Sequence, residues 1–194
     1  YFFHMLTECA IPCERMVLAL NRYLPRDVAV LSCQEVPLDF HARYSCIGKE
    51  YLYKIWHSPC KNPFEEDLSF HYPYKIDYGK LHAAAQEFVG THDFRAFCSS
   101  GADAESTIRT ITSASVTQSG NHLIFTVRGD GFLYNMVRIM VGTLLMVNYG
   151  MKPNESVTKI IESGDRSRAG HTAPAHGLYL NRVFYNESDF YCKK

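Results

Sequence analysis

The segment from Phe132 to Tyr149 constrains the fold more than any other. Phe132, Leu133, Met136, Val137, Ile139, Met140, Val141, Leu144, Leu145 and Val147 fall on nearly every side of a helix, which Gly150 closes. A helix that is apolar all round must be buried on most sides, so the rest of the chain has to wrap it. Its most apolar stretch, Ile139 to Val147, is far short of the roughly 20 residues that span a bilayer. One charge interrupts it, Arg138. An arginine does not deprotonate, and burying it without a partner costs several kcal/mol. Either it meets a carboxylate or a phosphate, or its head reaches water past the helix edge. The glycines of Gly129-Asp130-Gly131 let the backbone pass close to a neighbour, and the helix start behind them offers N–H groups to an anion.

The elements around this helix follow from period and punctuation. A helix is expected from near Pro12 to a stop at Pro25. Val28 to Val36 is β-branched and reads as a strand. Lys49 to Trp56 is a second strand, with Tyr51, Tyr53 and Ile55 on one face and Glu50, Leu52 and Lys54 on the other. Residues 59 to 76, with three prolines and an acidic run at Glu65-Glu66-Asp67, read as a long loop. Asp77 caps a helix that places Leu81, Ala84, Ala85 and Phe88 on one face and ends at Gly90. Thr110–Thr117 and His122–Arg128 flank a hairpin turn at Gln118-Ser119-Gly120-Asn121. A short helix is expected from Pro153 to Ser163 with Asn154 as its cap, then a strand from Leu178 to Tyr185. Strands and helices interleave around a hairpin, which makes the fold α+β, with a mostly antiparallel mixed sheet flanked by helices.

Composition removes several function classes. The 194 residues balance 20 Lys+Arg against 20 Asp+Glu, so bulk basicity is not the means of holding nucleic acid, although a local basic groove is compatible with neutrality. The expected groove collects Arg43, Lys49, Lys54, Arg138, Arg166 and Arg168. The seven cysteines are scattered, with no second pair or histidine cluster to complete a zinc site, and they suit the reduced cytoplasm. The opening Tyr1-Phe2-Phe3-His4-Met5 lacks the features of a secretory signal. No nucleophile elbow, P-loop or dinucleotide fingerprint is present.

Three constellations could carry chemistry. The first is Arg138 with its glycine-rich approach. The second is Phe40-His41-Ala42-Arg43-Tyr44 followed by Lys49-Glu50-Tyr51-Leu52-Tyr53, which suits either a phosphate backbone with an unstacked base or a strand with aromatic cross-strand pairs. The third is the small-residue loop from Asp165 to Gly177, with two arginines and two histidines, which reads as a pocket wall or a turn.

Together "FHARYSCIGKEYLYKIW", "GDGFLYNMVRIMVGTLL" and "RSRAGHTAPAHGLYLNRVFY" resemble the tRNA pseudouridine synthase A family. "LNRYLPRDVAVLSCQEVP" and "FVGTHDFRAFCSS" are similar to it as well. The resemblance implies a pseudouridine synthase fold, here a ferredoxin/RRM-like half, and isomerisation of uridine to pseudouridine in the tRNA anticodon stem-loop. It implies that Tyr51 packs against the target uracil, that Arg138 pairs with the catalytic aspartate, and that Phe132, Leu178 and Tyr179 line the pocket. Arg43 then contacts RNA or fixes its loop. The implied partners are tRNA and a second copy of the chain in a homodimer, with no membrane, metal or small-molecule cofactor.

One departure is large. The family carries its nucleophile in an Arg-Thr-Asp-x-Gly-Val-His type of motif, and this sequence contains none. Asp39, Asp130 and Asp165 do not stand in that context. The expectation is a C-terminal portion of a longer synthase, silent alone, with residues 1–37 a remnant of an N-terminal α/β domain and 38–194 the C-terminal catalytic and RNA-binding α+β domain; the alternative is a natural homologue that lost catalysis. The competing readings are a non-catalytic RNA-binding module on the same sheet, and a small-molecule enzyme that uses His171 or His176.

Overall fold

The sheet is organised by a two-residue turn. Gly120, at φ 57°, and Asn121 join Ser119 to His122, which pair directly. A left-handed backbone at the turn matches the twist of the strands it connects, which is why glycine belongs there. A computed structural model of the chain describes residues 1–101, 105–150 and 156–191. The chain divides into two compact units, Tyr1–Cys46 and Ile47–Lys194.

In the second unit the strands are β1 (Gly48–Trp56), β2 (Phe70–His71), β3 (Gly90–Asp93), β4 (Ile108–Ser119), β5 (His122–Gly129) and β6 (Leu178–Phe184). Their order is β2-β1-β5-β4-β3, and β6 pairs with the same edge of β1 that β2 uses. β1 with β2 is the parallel pair, and the other pairings are antiparallel. The fold is therefore α+β, with a mostly antiparallel mixed sheet, as expected. The alternation anticipated for β1 is realised: Tyr53 and Ile55 are buried beside Phe125 and Leu123 of β5, with Ala114 and Val116 of β4 beyond.

Against this face lie α2 (Tyr78–Gln86) and α3 (Met136–Tyr149), with α4 (Val157–Ser163) joining the same core. Ten residues of α3 between Met136 and Met146 are buried, every one in that span except Arg138, so the helix is wrapped as its composition demands. Asp77 caps α2 by accepting from the Lys80 N–H. Gly90, at φ 128°, opens β3 rather than closing the helix, which stops at Gln86.

The structure corrects several local expectations. α3 begins at Met136, not Phe132, because Asn135 is left-handed (φ 60°) and a right-handed helix cannot run through it. Residues 59–76 contain a helical turn at Pro63–Glu65 and strand β2. Pro153 and Asn154 lie outside the described residues, and the side chain of Ser156 accepts from Lys159 at the start of α4. A last helix, α5 (Glu187–Tyr191), follows β6.

In the first unit α1 (Cys13–Tyr23) starts after Pro12 and stops before Pro25, as punctuated. The β-prone run from Val28 to Val36 forms no strand. Its Val30 exchanges both main-chain hydrogen bonds with the Asn21 side chain, at 2.8 and 2.7 Å, so a side-chain amide replaces a neighbouring strand for one residue. A strand needs a second main chain to pair with, and among the described residues none pairs with this run.

Candidate functional site

The loop from Asp165 to Gly177 is strapped along α3. Gly142 and Gly170 face each other with no room for a Cβ: one on Gly142 would overlap the His171 carbonyl, and one on Gly170 would strike the backbone of Gly142. At this crossing the Gly170 N–H donates to Thr143 Oγ1 at 2.9 Å. One turn earlier the Ala173 N–H donates to the Arg138 carbonyl at 3.1 Å.

This strap holds the charge inside α3. Arg138 Nε donates to the Ala173 carbonyl at 2.6 Å and Nη1 donates to Asn135 Oδ1 at 3.0 Å. Among the described residues it makes no ion pair, and three of its five N–H groups have no protein acceptor. The left-handed Asn135 has a second task. Its Nδ2 donates to Ser99 Oγ at 3.1 Å, while the Ser99 N–H donates to the Tyr134 carbonyl. The guanidinium is thus half-buried and rigidly held by neutral acceptors, its positive charge uncompensated.

A phenol lies beside it. Tyr53 is fully buried and its hydroxyl donates to the Pro174 carbonyl at 2.7 Å. Burial pushes this phenol well above its usual range, and the Arg138 charge opposes only part of that. It remains a neutral donor that ties the strap to β1. Gly177 also packs against the Tyr53 ring and the Lys54 carbonyl.

The expected site residues separate into three groups. Tyr51 and Phe132 come together edge to face, with ring centroids 5.1 Å apart, and Leu178 sits opposite Tyr53 on the same face of the sheet. Tyr179 stands on the other face, opposite Leu52, with Lys54 4.4 Å above its ring and its hydroxyl donating to the Leu68 carbonyl at 2.6 Å. Lys54 and Arg138 therefore lie on opposite faces of the sheet and do not share the groove expected from sequence. Arg43 belongs to the first unit. There His41 Nδ1 accepts from the Arg43 and Tyr44 N–H groups at 3.2 Å each, which closes a tight turn, and the Arg43 guanidinium lies 5.7 Å from the Tyr44 ring.

Two of the three candidate aspartates are engaged elsewhere. Asp130 accepts from the Thr110 N–H and holds β4 against the glycine-rich segment, and Asp165 caps its own turn through Ser167. Gly129 is required by its approach to the Thr110 carbonyl, and Gly131 lies against the Arg109 side chain, so both glycines serve protein contacts. Asp39 is exposed in the first unit. His171 and His176 are exposed, and among the described residues no three metal-ligating side chains are grouped. Sequence reasoning missed Asn135 and Ser99, and it placed Tyr53 on the strand without its tie to Pro174. An asparagine tolerates left-handed backbone, which is the one signal that could have marked Asn135.

The helical face of the sheet thus carries a held cation, and the same unit carries the Tyr51–Phe132 pair. Comparisons with known proteins show the family. The tRNA pseudouridine synthase family matches over residues 84–186. The chain is 43% identical over 186 residues to tRNA pseudouridine synthase A 2 of Clostridium tetani, covering 96% of this chain and 75% of that protein. It is 46% identical over 182 residues to tRNA pseudouridine synthase A of Acetivibrio thermocellus (94% and 75% covered). With that of Staphylococcus aureus it shares 40% over 188 residues (97% and 70% covered). The chain belongs to the tRNA pseudouridine synthase A family, whose chemistry is an isomerisation. No helix among the described residues is long and apolar enough to cross a membrane.

Proposed function

We propose that the chain supplies the base- and charge-recognising half of an enzyme that converts uridine to pseudouridine in the anticodon stem-loop of tRNA. The observation that carries the reading is Arg138, fixed by Ala173 and Asn135, with donors left over and no carboxylate partner among the described residues. An aspartate carboxylate docked there restores neutrality, and the arginine in turn holds it as an anion fit to attack or to accept a proton. The bond from C1′ to N1 breaks, the uracil rotates, and C1′ rejoins at C5, whose hydrogen leaves to water as a proton while N1 takes up a proton from water. A uridine in a stem must first be flipped out, at a cost of a few kcal/mol. Tyr51 and Phe132 offer the aromatic surface that offsets it, with Leu178 beside them, while Tyr179 and Arg43 contact flanking RNA. The reaction is redox-neutral and requires no cofactor. The enzyme acts in the cytoplasm as a homodimer, with residues 1–37 belonging to an N-terminal α/β domain and 38–194 forming the catalytic and RNA-binding domain.

The chain alone is silent in this reading, since Asp39, Asp130 and Asp165 do not stand in the nucleophile's motif. The test uses a stem-loop carrying uridine tritiated at C5, from which product formation releases tritium. The 194 residues alone should give background release. Adding a polypeptide with the family's Arg-Thr-Asp motif should restore it, and Arg138→Ala should prevent the restoration. Release by the unaided chain, or undiminished release with Arg138→Ala, overturns the reading.

A further inference from the structure

Beside Ser99 the surface opens into a depression of about 550 Å3 lined by Cys98, Ser99, Ser100 and Arg166. Arg166 is held there as Arg138 is held inside. Its Nη1 donates to the Gly170 carbonyl at 2.9 Å and its Nη2 to Thr172 Oγ1 at 3.3 Å. Among the described residues it makes no ion pair, and the neighbouring Asp165 carboxylate accepts from the Ser167 N–H and hydroxyl. A second half-buried guanidinium therefore faces open space with its charge uncompensated and donors to spare. Ser99 Oγ accepts from Asn135, which leaves its own proton free to donate, and the Ser100 side chain is exposed.

The two arginines belong to one construction. The strap that accepts from Arg166 through Gly170 and Thr172 accepts from Arg138 through Ala173. Asn135 alone stands between the Arg138 head and Ser99, through hydrogen bonds of 3.0 and 3.1 Å. The depression thus begins within one nucleotide's reach of the Arg138 cage. A planar guanidinium fork with hydroxyl donors beside it matches the two non-bridging oxygens of a phosphodiester.

We propose that Arg166, with Ser99 and Ser100, forms a phosphodiester subsite that grips the RNA backbone next to the uridine received at Tyr51 and Arg138. This rests on the functional reading above, and its test does not require turnover. With the 15N-labelled chain, the Arg166 Nε–H and Ser99 N–H signals are followed during titration with a uridine trinucleotide lacking terminal phosphates, with uridine, and with inorganic phosphate. The trinucleotide should shift both signals saturably, uridine should leave them in place, and inorganic phosphate should act more weakly than the trinucleotide. Arg166→Lys keeps the charge but loses the fork, and should weaken the trinucleotide roughly tenfold at the Ser99 signal. No saturable shift with the trinucleotide, an equal or stronger response to inorganic phosphate, or unweakened binding by Arg166→Lys overturns the subsite. Should tritium release fail while these shifts appear, the functional reading falls and the subsite stands; the reverse result separates them the other way.

Discussion

Replacing Gly142 by alanine tests the joint that positions Arg138. In an exposed helix interior this change stabilises by about 1 kcal/mol, because glycine is the poorer helix former. Here the new methyl overlaps the His171 carbonyl oxygen, and the carbonyl carbon would stand only 2.9 Å away. Relief requires the strap to withdraw on the order of 1 Å, to ordinary carbon contact distance. Three hydrogen bonds then stretch beyond use: Gly170 N–H to Thr143, Ala173 N–H to the Arg138 carbonyl, and Arg138 Nε to the Ala173 carbonyl, now 2.9, 3.1 and 2.6 Å. At about 1 kcal/mol each they amount to roughly 3 kcal/mol, and after the helix-propensity gain the net loss is about 2 kcal/mol. Trp56, the one tryptophan, lies in β1 of the same unit, so its fluorescence during urea unfolding reports the change. A stability within about 0.5 kcal/mol of the unaltered chain, or above it, would show that the strap yields freely and refute the reasoning.

Other outcomes follow from the same structure. Tyr53→Phe removes the hydroxyl that ties Pro174 to β1 and should cost about 1–3 kcal/mol in urea unfolding. The Tyr53 phenol is raised by burial, so the folded chain holds this proton more tightly than the unfolded one. Its contribution is full below pH about 10 and is lost as pH rises beyond that, so the alkaline fall in stability should be shallower in Tyr53→Phe. Glu50, buried at 7% exposure, accepts from Arg128 Nε and Nη2 and from Asn181, while Arg128 Nη1 reaches the Phe190 carbonyl of α5. Glu50→Gln should cost about 3 kcal/mol and expose the amides of α5 to faster hydrogen exchange; exchange limited by global unfolding in both chains would contradict it.

Much of the architecture was legible because it depends on short-range pattern. Period two in β1, a glycine turn at 120, Asp77 before α2 and the all-round apolarity of α3 each state a local rule that the packed chain obeys. The failures have a common cause. Val28 to Val36 has strand composition, but composition does not provide a pairing partner. The start of α3 turned on one left-handed residue, Asn135, inside an apolar run that otherwise reads as helix.

The candidate site divides in the same way. The sequence by itself determined that Arg138 interrupts the apolar surface of a buried helix, and its motifs identified the family. Only the tertiary structure decided which acceptors it meets, that Tyr179 and Lys54 stand across the sheet from Arg138, and that Arg166 opens beside Ser99. The acceptors of Arg138 and Tyr53 are the Ala173 and Pro174 carbonyls, together with one asparagine side chain. Every residue has a carbonyl, so nothing in a sequence marks the one that a guanidinium will reach. That choice is made where two glycines let a loop lie directly on a helix.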